Sequence, residues 1–260
     1  MPYASSRGVR IYYQTVGDGP PLVLQHGFSS SGQTLRQLGY PAALPGRRLI
    51  LVDARGHGLS DKPHEPEAYA LPLRVADIVA VLDELAVERA DYLGYSMGGW
   101  IGFGLLIGAP QRIRRALLGG AHPFADDAWA SFDSIDPADD EAFLSAFEAA
   151  IAEPLPEEAT PGVLTNDRAA LKASAGRRES LLARLLDQSV PTLLYTGSQD
   201  ARAPDIARAA ELMGSAELRR LDGLTHAEAY MRPDLVAPSV VPFLDSALPA
   251  KSSSAPSHFR

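Results

Sequence analysis

Between an apolar run of strand length, residues 92–95, and an apolar run of helical length, residues 97–107, the chain places Gly94-Tyr95-Ser96-Met97-Gly98. Few architectures accommodate so tight a passage from strand to helix. Glycines two positions either side of Ser96 let the two elements approach without a clash, and the residue at the apex takes a strained backbone. G-x-S-x-G in this context marks a serine held on a sharp turn at the carboxyl edge of a mostly parallel sheet. The turn also aims the first amides of the following helix at the serine, where a helix N-terminus favours developing negative charge. The Met97 N–H is therefore a candidate oxyanion donor. Five letters alone also describe a plain tight connection, so the reading depends on what surrounds them.

The surroundings repeat the same unit. Short apolar runs at 22–25, 49–53, 92–95, 116–118, 192–196 and 217–221 alternate with runs of helical period, as right-handed crossovers in a parallel sheet require. Residues 73–85 carry Val75, Ile78, Val79, Leu82 and Leu85 at helical spacing. Helices are also expected over 205–213, closed by Gly214, and over 234–248. The start differs: residues 3–5 and 9–15, separated by Arg7-Gly8, predict an antiparallel hairpin at a sheet edge. Together these predict eight strands. Over 123–189 no clear strand appears, and Pro154, Pro156 and Pro161 break the stretch into short helical pieces, read as an inserted helical lid. The core is expected over 1–122 and 190–248, and the Ser-rich end, 249–260, is expected to be disordered.

Three further features bear on Ser96. Gln25-His26-Gly27-Phe28 follows the first parallel strand, where the Phe28 N–H could converge on the same oxyanion as Met97; a plain turn with a hydrogen-bonded imidazole is the competing reading. The loop from Asp53 to Ser60 is read as structural, with Asp53 and Arg55 as an ion pair near the site. Asp200 and His226 each follow a late strand, giving the chain order Ser, acid, His. A serine hydroxyl is a poor nucleophile at neutral pH, and His226 is a base of suitable pKa. Asp200 would fix its tautomer.

Other chemistries fit less well. Gly56-His57-Gly58 lacks the third glycine of a dinucleotide loop, with Asp61 in its place, and no phosphate-binding G-x-x-x-x-G-K-[ST] occurs. His26, His57, His64, His122, His226 and His258 form no H-E-x-x-H or other close ligand pair, so no metal and no cofactor is expected. Cys is absent, which removes disulfides and thiolate chemistry. A formal net charge of -8 argues against nucleic acid and anionic lipid as partners. With 46% hydrophobic residues and no run of membrane-span or signal-peptide length, a compact cytoplasmic protein is expected, monomer or homodimer, acting on a small molecule.

The chain resembles the α/β-hydrolase superfamily over nearly its whole length, in the style of the small esterases, perhydrolases and epoxide-hydrolase-like enzymes. The hairpin start, His26-Gly27, Asp53 to Ser60, Gly94 to Gly99, Gly197-Ser198-Gln199-Asp200 and Thr225-His226 fall in that family's order. The resemblance implies a triad of Ser96, Asp200 and His226, with oxyanion amides from Phe28 and Met97. Haloalkane dehalogenases and epoxide hydrolases need Asp where this chain has Ser96, and C–C hydrolases usually have Asn where it has Tyr95. Tyr95, His122, Phe124 and Trp129 are the expected substrate contacts, giving a mainly apolar pocket, while Trp100 is divided between pocket and core. Only Arg55 and Arg202 are basic in the catalytic loops, so neutral esters are favoured; lactone cleavage, peracid formation and C–C cleavage are the alternatives. A ligand-binding signalling protein on the same fold is the rival from another class.

Overall fold

The computed structural model describes residues 2–246, so the tail at 249–260 lies outside the described residues. Eight strands form one sheet in the order β1-β2-β4-β3-β5-β6-β7-β8. β1 (Tyr3–Ser6) and β2 (Val9–Val16) make the edge hairpin, turning through Arg7 and Gly8 at φ 48° and 85°. Two positive φ values match the twist of the flanking strands. β2 pairs antiparallel with β4. β3 (Pro21–Gln25), β4 (Arg48–Val52), β5 (Ala90–Tyr95), β6 (Ile113–Gly119), β7 (Thr192–Gly197) and β8 (Ala216–Leu221) are mutually parallel.

Helices cover both faces of the sheet, which is why its central strands bury apolar side chains on both sides. Val23, Ile50, Val52, Tyr92, Leu118 and Leu194 pack with α3 (Leu71–Glu84), α4 (Met97–Gly108) and α8 (Ala203–Leu212). Leu22, Leu24, Leu49, Leu51, Leu93, Leu117 and Leu193 face α1 (Gly32–Gln37), α2 (Tyr40–Ala43), α9 (His226–Met231) and α10 (Pro233–Asp245). The two short helices α1 and α2 lie in a stretch with no predicted element; Ser31 starts the first by accepting a hydrogen bond from the Thr34 N–H.

Between β6 and β7 the chain forms α5 (Asp140–Ile151), α6 (Thr160–Leu164) and α7 (Arg168–Ser174), with a single isolated bridge between Asp126 and Arg178. Asp139 and Asp167 cap α5 and α7. Phe143, Phe147, Ile151, Val163 and Leu171 from these helices are buried in the same apolar cluster as Phe28, which follows β3. The insert is thus packed over the carboxyl edge of the sheet. No helix among the described residues is long and apolar enough to cross a membrane.

One expected contact is corrected. Asp53 does not pair with Arg55; it accepts from the Gly32 and Leu59 amides, each at 2.7 Å. Arg55 reaches α3 instead and binds Asp77 through two hydrogen bonds, 2.7 and 2.6 Å. The turn's own amides need an acceptor beneath them and take Asp53, while the longer side chain crosses to the helix. Both members of the Arg55–Asp77 pair are buried, so Arg55→Met should strand a carboxylate and cost about 3–5 kcal/mol. Urea unfolding measures this; a loss below about 1 kcal/mol, the range of an exposed pair, would contradict it.

Candidate active site

Ser96 sits between β5 and α4 at φ 52° and ψ −108°. The strained turn is held by its N–H, which donates to Gly119 O at 2.8 Å. A Cβ on Gly98 would lie 2.3 Å from Gln25 O, and one on Gly94 would lie 2.3 Å from Gly98 O. Backbone from β3, β5 and α4 therefore meets here at distances that exclude any side chain. The Gly27 Cα region passes close to Ser96, since a Cβ there would be 3.7 Å from Ser96 Cβ. Neither the Phe28 N–H nor the Met97 N–H has an acceptor among the described residues. Two unspent backbone donors on either side of a serine suit an oxyanion.

His26 holds this arrangement rather than joining it. Its Nε2 accepts from the Ala54 N–H at 3.0 Å, which leaves Nδ1 to donate to Gly27 O at 2.7 Å. The ring thereby ties the loop after β3 to the loop after β4. His57 lies beside it, with ring centroids 5.2 Å apart. Burial pushes both imidazoles below their ordinary value of 6.5, His57 well below. The folded protein keeps them neutral where the unfolded chain takes up protons, so stability is greatest above pH 6.5 and falls as pH drops below it. The slope is about 1.4 kcal/mol per pH unit for each histidine within its window. Urea unfolding at pH 7.5 and pH 5 should show the loss, and His57→Gln should flatten the profile; an unchanged slope in that variant would refute the assignment.

Asp200 follows β7, and His226 is the first residue of α9, a helix started by a capping box between Thr225 and Glu228. His226 Nδ1 lies 2.8 Å from Asp200 Oδ2. Burial opposes ionisation of Asp200, yet hydrogen bonds from His226 and the Arg202 amide, with the charges beside them, outweigh it and hold the carboxyl below its usual value. An ionised acid only accepts, so Nδ1 carries the proton and Nε2 keeps its lone pair. Ser96 Oγ makes no hydrogen bond among the described residues, and Ser96 and His226 line one cavity of about 430 Å³.

Of the expected contacts, Tyr95 and Trp129 line this cavity, together with Phe28. The Trp129 and Phe28 rings lie 4.5 Å apart and form an apolar wall. Tyr95 has a further part: its hydroxyl donates to His226 O at 2.7 Å, fixing the start of α9. His122 and Phe124 do not line it. The chain leaves β6 toward α8, where the Arg208 guanidinium covers the Phe124 ring at 5.0 Å and His122 packs against that ring. Trp100 also lies elsewhere, in a second and larger cavity.

Four side chains beyond the predicted set complete the site. Arg202 donates to Ala150 O and Ile151 O at the end of α5, and Glu153 accepts from the Ala227 N–H beside His226. Tyr230 shares a 2.5 Å hydrogen bond with Ser30, and Asn166 donates to Ser29 O at 2.9 Å. The insert is thus bonded to the loops bearing Phe28, Asp200 and His226. No sequence spacing announces such contacts. No three His, Asp or Glu side chains among the described residues converge as metal ligands would.

Comparison with known proteins agrees with this fold. A solved hydrolase from Pseudomonas aeruginosa PA01 is 27% identical with a TM-score of 0.80, covering 94% of this chain and 98% of its own. A solved N-acyl homoserine lactone degrading enzyme is 26% identical with a TM-score of 0.76, over 93% of this chain and 100% of its own. The 2-hydroxymuconate semialdehyde hydrolase of Pseudomonas sp. (strain CF600) is 38% identical over 117 residues, which is 44% of this chain and 41% of that protein. The profile of the alpha/beta hydrolase fold family matches residues 20–180, and the chain belongs to that family.

Proposed function

We propose that the protein is a serine hydrolase that cleaves neutral carboxylic esters of short to medium length through an acyl-enzyme. The observation that carries this reading is Ser96 on its strained turn between two unspent amides, sharing one cavity with the histidine that Asp200 orients. Ser96 Oγ attacks the substrate carbonyl carbon as His226 Nε2 takes its proton, and the Phe28 and Met97 amides receive the oxyanion. The ester C–O bond then breaks, with His226 returning the proton to the departing alkoxide. Water, deprotonated in turn by His226, attacks the acyl carbon and releases the acid and free Ser96.

The cavity walls supply the substrate class. Phe28, Trp129, Phe147, Ile151 and Val163 present apolar surface, and among the described residues no guanidinium or ammonium borders this cavity. A neutral acyl chain gains from that burial, whereas an anion would lose its hydration without a partner. Residues 123–189 act as the lid over it. A lactone is an ester closed on itself, and the likeness to the lactone-degrading enzyme supports lactones as further substrates of the same chemistry.

The reading is tested by kcat/KM across p-nitrophenyl esters from acetate to dodecanoate, beside a lactone and a vinylogous diketone. An optimum among the short to medium acyl groups is expected. Preference for the longest chain, or cleavage of the diketone alone, would overturn the ester assignment, and no turnover of any would favour a ligand-binding role.

A further inference from the structure

The second cavity, about 1020 Å³, lies behind the wall of the first and shares Phe28 and Trp129 with it, but neither Ser96 nor His226 reaches it. Five arginines line it, Arg7, Arg74, Arg177, Arg178 and Arg184, with two acids, Asp83 and Glu179; of these seven only Arg74 of α3 and Arg178 of the insert are not exposed. Arg74 is buried; its Nε donates to Tyr69 O and its Nη2 to Ser174 O, both at 2.7 Å. Arg178 is half-buried, with its guanidinium 5.0 Å from the Trp100 ring centroid and 5.8 Å from that of Trp129. Its side-chain donors have no acceptor among the described residues, and neither arginine forms an ion pair there. Of the two acids in the lining, Asp83 pairs with Arg112 and Glu179 is exposed to solvent; three further acids outside the lining have partners of their own. Asp77 is held by Arg55, Asp127 pairs with Arg177, and Asp126 accepts from the Ala128 N–H.

Two guanidiniums withdrawn from solvent at one cavity with neither in an ion pair are costly, because burial strips their hydration and each repels the other. Aromatic faces recover part of that cost for Arg178. Desolvation draws Arg74 down to about 9 and Arg178 down to about 10, with Asp77 offsetting part of the effect for Arg74 and Asp126 part of it for Arg178. Away from the arginines the walls are apolar, formed by Leu71, Val75 and Val79 of α3 and Ile107 of α4. We propose that this cavity is a second binding site, taking an organic carboxylate whose acid group meets Arg178 and Arg74 and whose apolar body lies along α3 and α4. A carboxylate matches the planar fork of a guanidinium with two parallel hydrogen bonds. The site does not share the Ser96 chemistry and stands whatever ester the first cavity accepts.

Titration calorimetry of the full chain with octanoate, octanamide and inorganic phosphate tests this. Saturable octanoate binding is expected, with octanamide and phosphate each weaker by at least about tenfold, since one lacks the charge and the other the apolar body. Arg178→Gln should lose at least about tenfold in octanoate affinity, and Arg178→Lys should recover part of it. Val79→Trp, which fills the apolar wall, should lose as much. Cooperative thermal melting confirms that each variant is folded, and the Val79 variant keeps the test independent of Arg74, whose own replacement would disturb buried hydrogen bonds. Octanamide binding as tightly as octanoate, phosphate binding more tightly, or undiminished octanoate affinity in Arg178→Gln or Val79→Trp would each overturn the proposal.

Discussion

Ser96→Ala is expected to lower kcat on a p-nitrophenyl ester by about 10⁶-fold while leaving the fold intact. Alanine fits the turn, because the elbow's close contacts are made by Gly94 and Gly98 rather than by the serine side chain. What disappears is the nucleophile. The Phe28 and Met97 amides remain, so a residual acceleration of about 10³–10⁴ over water should survive from oxyanion binding and substrate placement. The same substitution should abolish the single covalent adduct that a fluorophosphonate leaves on the wild-type chain, read by intact mass. Labelling that persists in Ser96→Ala, or turnover within about tenfold of wild type, would remove Ser96 from the mechanism, because a bystander serine costs no more than its own packing.

The path from sequence to this site was legible wherever a local pattern carried it. Glycines at 94 and 98 are visible as letters, and the strand and helix around them are visible as periods; the structure shows backbone approaches of 2.3 Å that make those letters necessary. The chain order of Ser96, Asp200 and His226 could be read because parallel strands deliver successive loops to one edge. Contacts settled by side-chain reach could not. Asp53 and Arg55 are two residues apart, yet one faces the turn amides and the other crosses to Asp77 on α3. His122 and Phe124 follow β6 as expected, but the chain then turns to α8, and nothing in Gly119-Gly120-Ala121 announces that direction. Helices of six and four residues, α1 and α2, are too short to show a period. The tie between the insert and the triad loops rests on Glu153 and Arg202, whose partners lie 74 and 52 residues away, beyond any window in which spacing carries information.

That tie bears on how the residues of the proposed triad are held. Asp200 is bonded on one oxygen to His226 and on the other to the Arg202 amide, while the Arg202 guanidinium grips the end of α5. Glu153, just past that helix, holds the first turn of α9 through Ala227. The acid and the histidine are therefore positioned by the insert as well as by the sheet. Movement of α5 away from the cavity would slacken both at once, so in the proposed mechanism opening over the substrate is coupled to the alignment of His226.

Asp200→Asn should lower kcat by about 10⁴-fold with little change in KM. The amide is nearly the same size and can still accept the Arg202 N–H, so the loop should keep its shape. Toward His226, however, an amide can present its NH₂, and the imidazole then turns its unprotonated nitrogen to Nδ1 and carries the proton on Nε2. A protonated Nε2 cannot accept the Ser96 proton, and the charge that steadied the imidazolium is gone. Substrate binding uses the apolar walls and is untouched, which is why the loss should fall on kcat. Asp127 is the control: exposed and paired with Arg177 on the insert, it should tolerate Asn with a change within about twofold. Steady-state kinetics on one ester for both variants decides the matter. Near-normal kcat in Asp200→Asn would mean that His226 is oriented by something else, and a comparable loss in Asp127→Asn would mean that the acid of the site lies on the insert rather than after β7.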